Sequence, residues 1–280
     1  MLKDKKLSDL IRVFNGPNNN RPSNMASFLF GLKDNTMLKR AGVNDRAIDF
    51  NYILQEDENF KIVFIIFYTS IIYHIAQITK NLGLEMPRHI SFSGNGSKVI
   101  KVVTTDSKIL AKYTKVIFEQ VLGRTYDKEL DIIGLDGDSN PKESTCKGGL
   151  IGHTEDDNQG DTIIFKSDCS GIIQSEDTYA SITDAYKDRT VKAVEDFLDF
   201  VFNVNSKFDF NRNFGVTRES IELAKTEAKK DLRTYLEKGL SQRSDEVNVN
   251  DKIEETFFFY PIKGVLQSIS NEIFKSLQNK

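Results

Sequence analysis

His89-Ile-Ser-Phe-Ser-Gly-Asn-Gly-Ser-Lys98 is the stretch whose reading decides the fold. A short apolar run ends abruptly in two glycines, a serine and a lysine. The pattern predicts a strand, Ile90 to Ser93, entering a tight turn, Gly94 to Ser97, and then a helix. Paired glycines after a strand let backbone approach a ligand closely, because no Cβ stands in the way. The amides of the turn and the following helix favour an anion or a polar ribose edge. The spacing matches neither common phosphate template. The glycine-x4-glycine-lysine of a P-loop is missing. So are the third glycine and the closing acidic residue of a dinucleotide fingerprint. A tight strand-to-helix turn that holds no ligand is the competing account of the same residues.

Downstream, a short helix is expected from Ser97 to Val103. Thr105 and Asp106 are N-cap residues for a helix through Leu122, closed by Gly123. Its apolar face is Ile109, Leu110, Tyr113, Val116, Ile117 and Val121. Asp131 to Leu135 reads as a second strand, Asp136 to Pro141 as a loop, and a helix begins near Lys142. Strands alternating with helices argue for α/β packing with a parallel pair.

Upstream, residues 3–14 form a short amphipathic helix with Leu7, Leu10, Ile11 and Phe14 on one face. Residues 16–22 are a loop by composition, and Ser23 to Leu54 is mixed and mainly helical. A long apolar helix is expected from Asn59 to Asn81, with Glu56-Asp57-Glu58 at its N-terminus and Gly83 after its end. Ile62 to Gln77 carries no Lys, Arg, Asp or Glu. A membrane span needs roughly 20 predominantly apolar residues. This run is shorter and contains Thr69, Ser70, Tyr73, His74 and Gln77. It is read as a helix buried in a soluble core, with a membrane anchor as the alternative. His74 is read as a core histidine rather than a ligand.

After Gly152 the character changes, which divides the chain into an α/β region, 1–152, and a mainly helical region, 153–280. His153 to Asp161 is an acidic, polar excursion. Thr162 to Lys166 and Ser170 to Gln174 form a small hairpin or edge strands. Val191 to Phe202 is a helix with Val194, Phe197, Leu198 and Val201 on one face. Thr217 to Leu240 is one long, heavily charged helix. Pro261 starts a final helix carrying Val265, Ile269, Ile273 and Leu277. The aromatic run Phe257-Phe258-Phe259-Tyr260 is read as core packing between the tail helices; the alternative is an exposed patch that receives a partner. No internal repeat or low-complexity tract is evident.

Composition bounds the class. A chain of 280 residues with 39% hydrophobic and 28% charged residues is long enough to bury a core and is globular in type. The net charge of -3 leaves no broad basic surface for nucleic acid. Cys146 and Cys169 make neither a metal pattern nor a disulfide framework, so a reduced, cytoplasmic protein is expected. The start of the chain is too polar for a signal peptide. Asp136 to Asn140 has calcium-like donors, but Pro141 stands where a calcium loop needs glycine and Lys147 where it needs glutamate. Glu155-Asp156-Asp157 reads as a solvated loop. His74, His89 and His153 give no zinc or Ser-His-Asp spacing.

Ile90-Ser-Phe-Ser-Gly-Asn-Gly-Ser97, followed by Pro141-Lys-Glu-Ser-Thr-Cys-Lys-Gly-Gly149, resembles the adenosine side of the actin-like ATPase superfamily, which includes heat-shock chaperone ATPases and sugar kinases. In that family a strand runs into a glycine-glycine-x-serine turn, and a proline-led helix ending in glycine comes after one more helix and strand. The likeness covers roughly residues 55–152. It implies a partial ribonuclease H-like ATPase lobe that binds ATP or ADP. Gly94, Gly96 and Ser97 would face adenine and ribose, while Gly148 and Gly149 would allow close helix approach. Asn95, Lys98 and Lys142 complete the candidate nucleotide contacts, although Lys98 has no fixed role in the family pattern.

Two Asp-x-Gly hairpins hold phosphate and metal in that family. This chain has none upstream of residue 90, and Asp136-Gly137 falls in the wrong order. The expectation is therefore a C-terminal lobe of a larger ATPase, not catalytic alone, since placing and neutralising the phosphates supplies nearly all of that catalysis. Magnesium would enter only if a missing N-terminal lobe completed the site. The alternative is a non-catalytic protein-protein interaction module that works through Thr217 to Leu240 and Phe257 to Tyr260. Expected partners are the missing lobe or another protein, with no nucleic acid and no membrane.

Overall fold

The structure, a computed structural model, describes residues 29, 32–34, 40, 42, 44–92, 95–133, 177–253 and 255–278. The chain divides into two compact units, Met1–Asp57 and Glu58–Lys280. In the first, two short helices follow one another, α1 (Asp45–Ile48) and α2 (Phe50–Gln55). Asp49 stands between them. One of its carboxylate oxygens caps α2 by accepting from the Tyr52 amide at 3.2 Å, and the other pairs with Lys33 Nζ at 2.8 Å. The predicted helix over residues 3–14 lies outside the described residues.

The second unit is built around α3 (Lys61–Asn81). It starts after Phe60, whose side chain cannot accept a capping bond, so the acidic run at 56–58 lies ahead of the helix rather than in its first turn. Gly83 follows it in the left-handed region, φ 66°, as a C-terminal glycine does. By length and composition α3 could cross a membrane. In this fold it buries Ile62, Ile65, Ile66, Ile72 and Ala76 inside the protein, while Phe67 and Ile75 remain exposed. The His74 ring packs against Phe258 and Phe259, with centroids 5.8 and 5.1 Å away, consistent with the core reading.

Next comes β1 (His89–Ser91), a 3₁₀ helix (Asn95–Val102), α4 (Ser107–Leu122) and β2 (Asp131–Ile133). The strands pair in parallel, with Ile90 opposite Ile132. Asp106 caps α4 by accepting from the amides of Lys108 and Ile109 at 2.8 and 3.1 Å, and Gly123 ends it at φ 69°. Each of these signals was local and readable. The expected α/β alternation therefore holds here, but only as a two-stranded sheet within a mainly helical set of described residues.

α3 and α4 are tied by a reciprocal polar contact in the core. Each carries a Tyr-Thr pair, Tyr68-Thr69 and Tyr113-Thr114. Tyr68 bonds to Thr114 at 2.6 Å and Tyr113 to Thr69 at 2.5 Å. Each threonine hydroxyl also donates to the carbonyl four residues back, of Ile65 or Leu110. A hydroxyl has one proton. The tyrosines must therefore be the donors between the helices, and all four hydroxyls are satisfied without water.

The remaining helices are α5 (Asp184–Phe208), α6 (Phe210–Phe214), α7 (Arg218–Glu227), α8 (Leu232–Ser244) and α9 (Phe259–Gln278). The expected helix at 191–202 is the middle of α5. The single long helix expected over 217–240 is corrected: α7 and α8 are separate, with Asp231 between them at φ 58°. The break lets Ile221 and Ala224 of α7, and Leu232 and Leu236 of α8, each bury a short apolar face, and both helices pack on α9. One straight helix could not turn both faces inward.

α9 begins two residues before Pro261, whose missing amide costs nothing in a first turn. Val265, Ile269 and Ile273 are buried as expected, but Leu277 is exposed near the end. Phe257 and Phe258 of the aromatic run are core, while Phe259 and Tyr260 are half-buried: Phe258 meets Phe197 at 5.3 Å, and Phe257 joins a second cluster with Tyr186, Leu236 and Ile253. The main core draws on α3, α4 and β2 as well as α5, α6, α7 and α9, so side chains from both sides of residue 152 share it. The stretches expected as an acidic excursion and a small hairpin, 153–174, lie outside the described residues.

Candidate binding cleft

Of the adenosine-side candidates, Asn95, Gly96, Ser97 and Lys98 open the 3₁₀ helix that leaves β1. That helix begins two residues earlier than expected. Gly94, Lys142, Gly148 and Gly149 lie outside the described residues, as does the Asp136-Gly137 pair. The structure thus gathers four of the eight candidates on one element and leaves the second motif unplaced. Among the described residues no group of three or more His, Cys, Asp and Glu side chains is arranged to hold a metal.

A cleft of about 580 Å³ lies between α8 and α9. Its floor is made by two tyrosines and two glycines that pack reciprocally. A β-carbon on Gly239 would stand 2.6 Å from Cγ of Tyr260, and one on Gly264 would stand closer still to Cγ of Tyr235. Both glycines sit inside helices, where glycine costs about 1 kcal/mol relative to alanine. What that cost allows is the close approach of a ring to the opposing backbone. The two walls carry one pattern, Tyr235-Leu-Glu-Lys-Gly239 and Tyr260-Pro-Ile-Lys-Gly264. Since each tyrosine meets the other helix's glycine, the patterns run in opposite directions and are related by a local two-fold. Lys238 and Lys263 hold matching positions on the two walls.

One end of the cleft is held by Glu255. Its carboxylate accepts from Tyr179 at 2.5 Å, from Tyr260 at 2.8 Å and from Arg243 Nε at 2.7 Å. Burial opposes ionisation of Glu255, but the bonds from Tyr179, Tyr260 and Arg243 outweigh it and hold the carboxyl below the usual glutamate range. Tyr260 is pushed up, first by burial and then by its bond to Glu255. Its ring is therefore a fixed, neutral part of the floor. Arg243 also pairs with Glu246 at 2.7 Å, so it bridges both cleft carboxylates, and the three groups together keep one negative charge.

α8 and α9 carry Arg233, Lys238, Arg243, Lys263 and Lys275. Arg233 is paired with Asp184, Asp188 and Glu237, and Lys275 with Glu272. Lys238 and Lys263 have no ion pair among the described residues, both are exposed, and both line the cleft. With Gln242 and Gln267 on the rim, the lining offers an aromatic floor, amide groups and two uncommitted ammonium groups. Such a surface can hold a group that is partly apolar and partly anionic.

The alternative interaction surface expected from the sequence, Thr217 to Leu240 and Phe257 to Tyr260, overlaps the cleft at Tyr235, Lys238, Gly239 and Tyr260 but stops short of Arg243, Lys263 and Gly264. The signal was present as the recurring Tyr-x-x-Lys-Gly. Three matched residues occurring twice are too few to register as an internal repeat. Comparisons of the chain with protein-family models, curated proteins and solved structures find no match. The functional reading therefore rests on the geometry of the molecule itself.

Proposed function

We propose that this chain is a non-catalytic protein-binding module whose working surface is the α8–α9 cleft. The observation that carries this reading is the pairing of a rigid Tyr-Gly floor with two ammonium groups left out of the ion-pair network around them. Aromatic side chains held in one rotamer supply contact area at small entropic cost, as binding hot spots require. In this reading α3 is the core helix of a cytoplasmic protein. Peptide-library selection against the full chain tests it, with binders mapped by amide shifts. Selected peptides should perturb Tyr235, Gly239, Tyr260 and Gly264. Binders that map only elsewhere, or none at all, would sink the reading.

The parallel crossover β1–α4–β2 favours a second reading, the ATP- or ADP-binding lobe of an actin-like ATPase. Its support is a helical segment that leaves β1 at the candidate residues Asn95 to Lys98. Calorimetric titration of ATP and ADP, with and without magnesium, tests it on the chain and on Gly96→Val. Binding lost in the variant favours this reading; equal, absent binding in both counts against it.

A further inference from the structure

We infer that the α8–α9 cleft receives an acidic segment of a partner protein. An aromatic or aliphatic side chain of that segment rests on the tyrosine floor, and flanking carboxylates meet Lys238 and Lys263. The inference rests on the protein-binding reading above and names the chemistry of the partner.

Three observations carry it. First, the charge is selective. Arg233, Arg243 and Lys275, the other cations of α8 and α9, are all paired within the protein, and Glu246 and Glu255 are both held by Arg243. The two lysines are thus the unpaired cations of the cleft, and with one Arg243 shared by two carboxylates the five charges that line it sum to +1. Second, the lysines are placed alike. Each immediately precedes the glycine at which its helix is most closely approached, so the two-fold pattern sets one ammonium stem on each wall. Third, the floor is apolar and the walls are helix interiors. Backbone amides there are spent within the helices, and the cleft's arginine is committed. A bare phosphate therefore lacks the free amides or guanidinium fork that usually hold it. Nucleic acid needs many phosphate contacts to bind. The cleft offers two free cations in a chain of net charge -3. An acidic peptide with one apolar anchor uses both halves of the surface.

Fluorescein-labelled Glu-Glu-Phe-Glu-Glu, its Gln and Lys counterparts, and inorganic phosphate are titrated against the full chain by anisotropy or amide shifts. The same probes are applied to Lys238→Glu/Lys263→Glu and to Lys108→Glu/Lys225→Glu, which changes net charge equally at exposed positions outside the cleft. The acidic peptide should bind the native chain and the control variant, shift Tyr235 and Gly264, and bind the cleft variant at least about tenfold more weakly. Acidic binding that is equal in both variants overturns the inference. So does phosphate that competes at the same resonances without the peptide's apolar anchor. A Gln or Lys peptide that occupies the cleft better than the acidic one overturns the inference yet leaves the protein-binding reading standing. If no peptide of any charge moves the cleft resonances, both fall.

Discussion

The ring of Tyr235 fills the space that a side chain on Gly264 would need. The reciprocal contact, Tyr260 on Gly239, repeats it across a local two-fold, so the closest approach of α8 and α9 depends on two missing β-carbons. Overpacking a close contact typically costs about 1–3 kcal/mol. Alanine's helix preference over glycine, about 1 kcal/mol, acts in the opposite direction. Gly264→Ala is expected to be destabilising overall, seen as a lower urea midpoint with an unchanged slope. In a Tyr235→Ala background the same substitution should become stabilising, because only the helix preference remains. A stabilising Gly264→Ala in the native background would contradict the packing argument.

The Tyr-Thr contacts between α3 and α4 predict an asymmetry. Tyr68→Phe removes a donor but leaves Thr114 bonded to the Leu110 carbonyl, so the expected loss is about 0.5–1.5 kcal/mol. Thr114→Val removes the acceptor and strands the Tyr68 hydroxyl in a fully buried site. An unsatisfied buried polar group costs about 1–3 kcal/mol, so the valine variant should be the less stable of the two. Chemical denaturation of both proteins decides the order, and the reverse order would refute the donor assignment.

Alkaline pH should destabilise the fold. Burial raises Tyr68, Tyr113 and Tyr260, the last also through its bond to Glu255. A raised folded value means stability that is complete below the unfolded value, about 10, and falls as pH rises past it. Of the nine tyrosines, Tyr68 and Tyr113 should ionise only as the chain unfolds. Tyrosinate absorbance should therefore rise in two steps, the second coinciding with loss of helical circular dichroism. A single smooth titration at constant helicity would rule this out.

At acid pH Glu255 acts with the opposite sign. Its folded value is lowered, by bonds from Tyr179, Tyr260 and Arg243 that outweigh burial. The stability it contributes is present above the ordinary glutamate range and is lost as pH falls through its folded value. Glu255→Gln should flatten the stability profile below about pH 4.5, measured by denaturation at several pH values. An unchanged acid limb would show that the carboxylate is not linked to folding.

Much of the β1–α4–β2 unit was legible because its signals are local. Asp106 caps the amides two and three residues ahead, and Gly123 takes the left-handed conformation that ends a helix. The apolar spacing of Val265, Ile269 and Ile273 announced the buried face of α9. The break between α7 and α8 was not legible, since Asp231 reaches positive φ without a glycine or proline to mark it. The cleft was missed for a related reason. A glycine in a charged helix looks like a weak helix former until the ring facing it is known.

The sequence by itself determined the caps of α4, the apolar faces of α3, α4 and most of α9, and that two short strands pair in parallel around a helix. Those features depend on hydrogen bonds and side-chain periods spanning a few residues. Only the tertiary structure decided that Tyr235 meets Gly264, that Tyr68 meets Thr114, and that Lys238 and Lys263 remain unpaired beside one another's wall. These depend on the register in which separate helices pack against one another. That register is set by the sum of packing over the whole core, and no short stretch of sequence contains it.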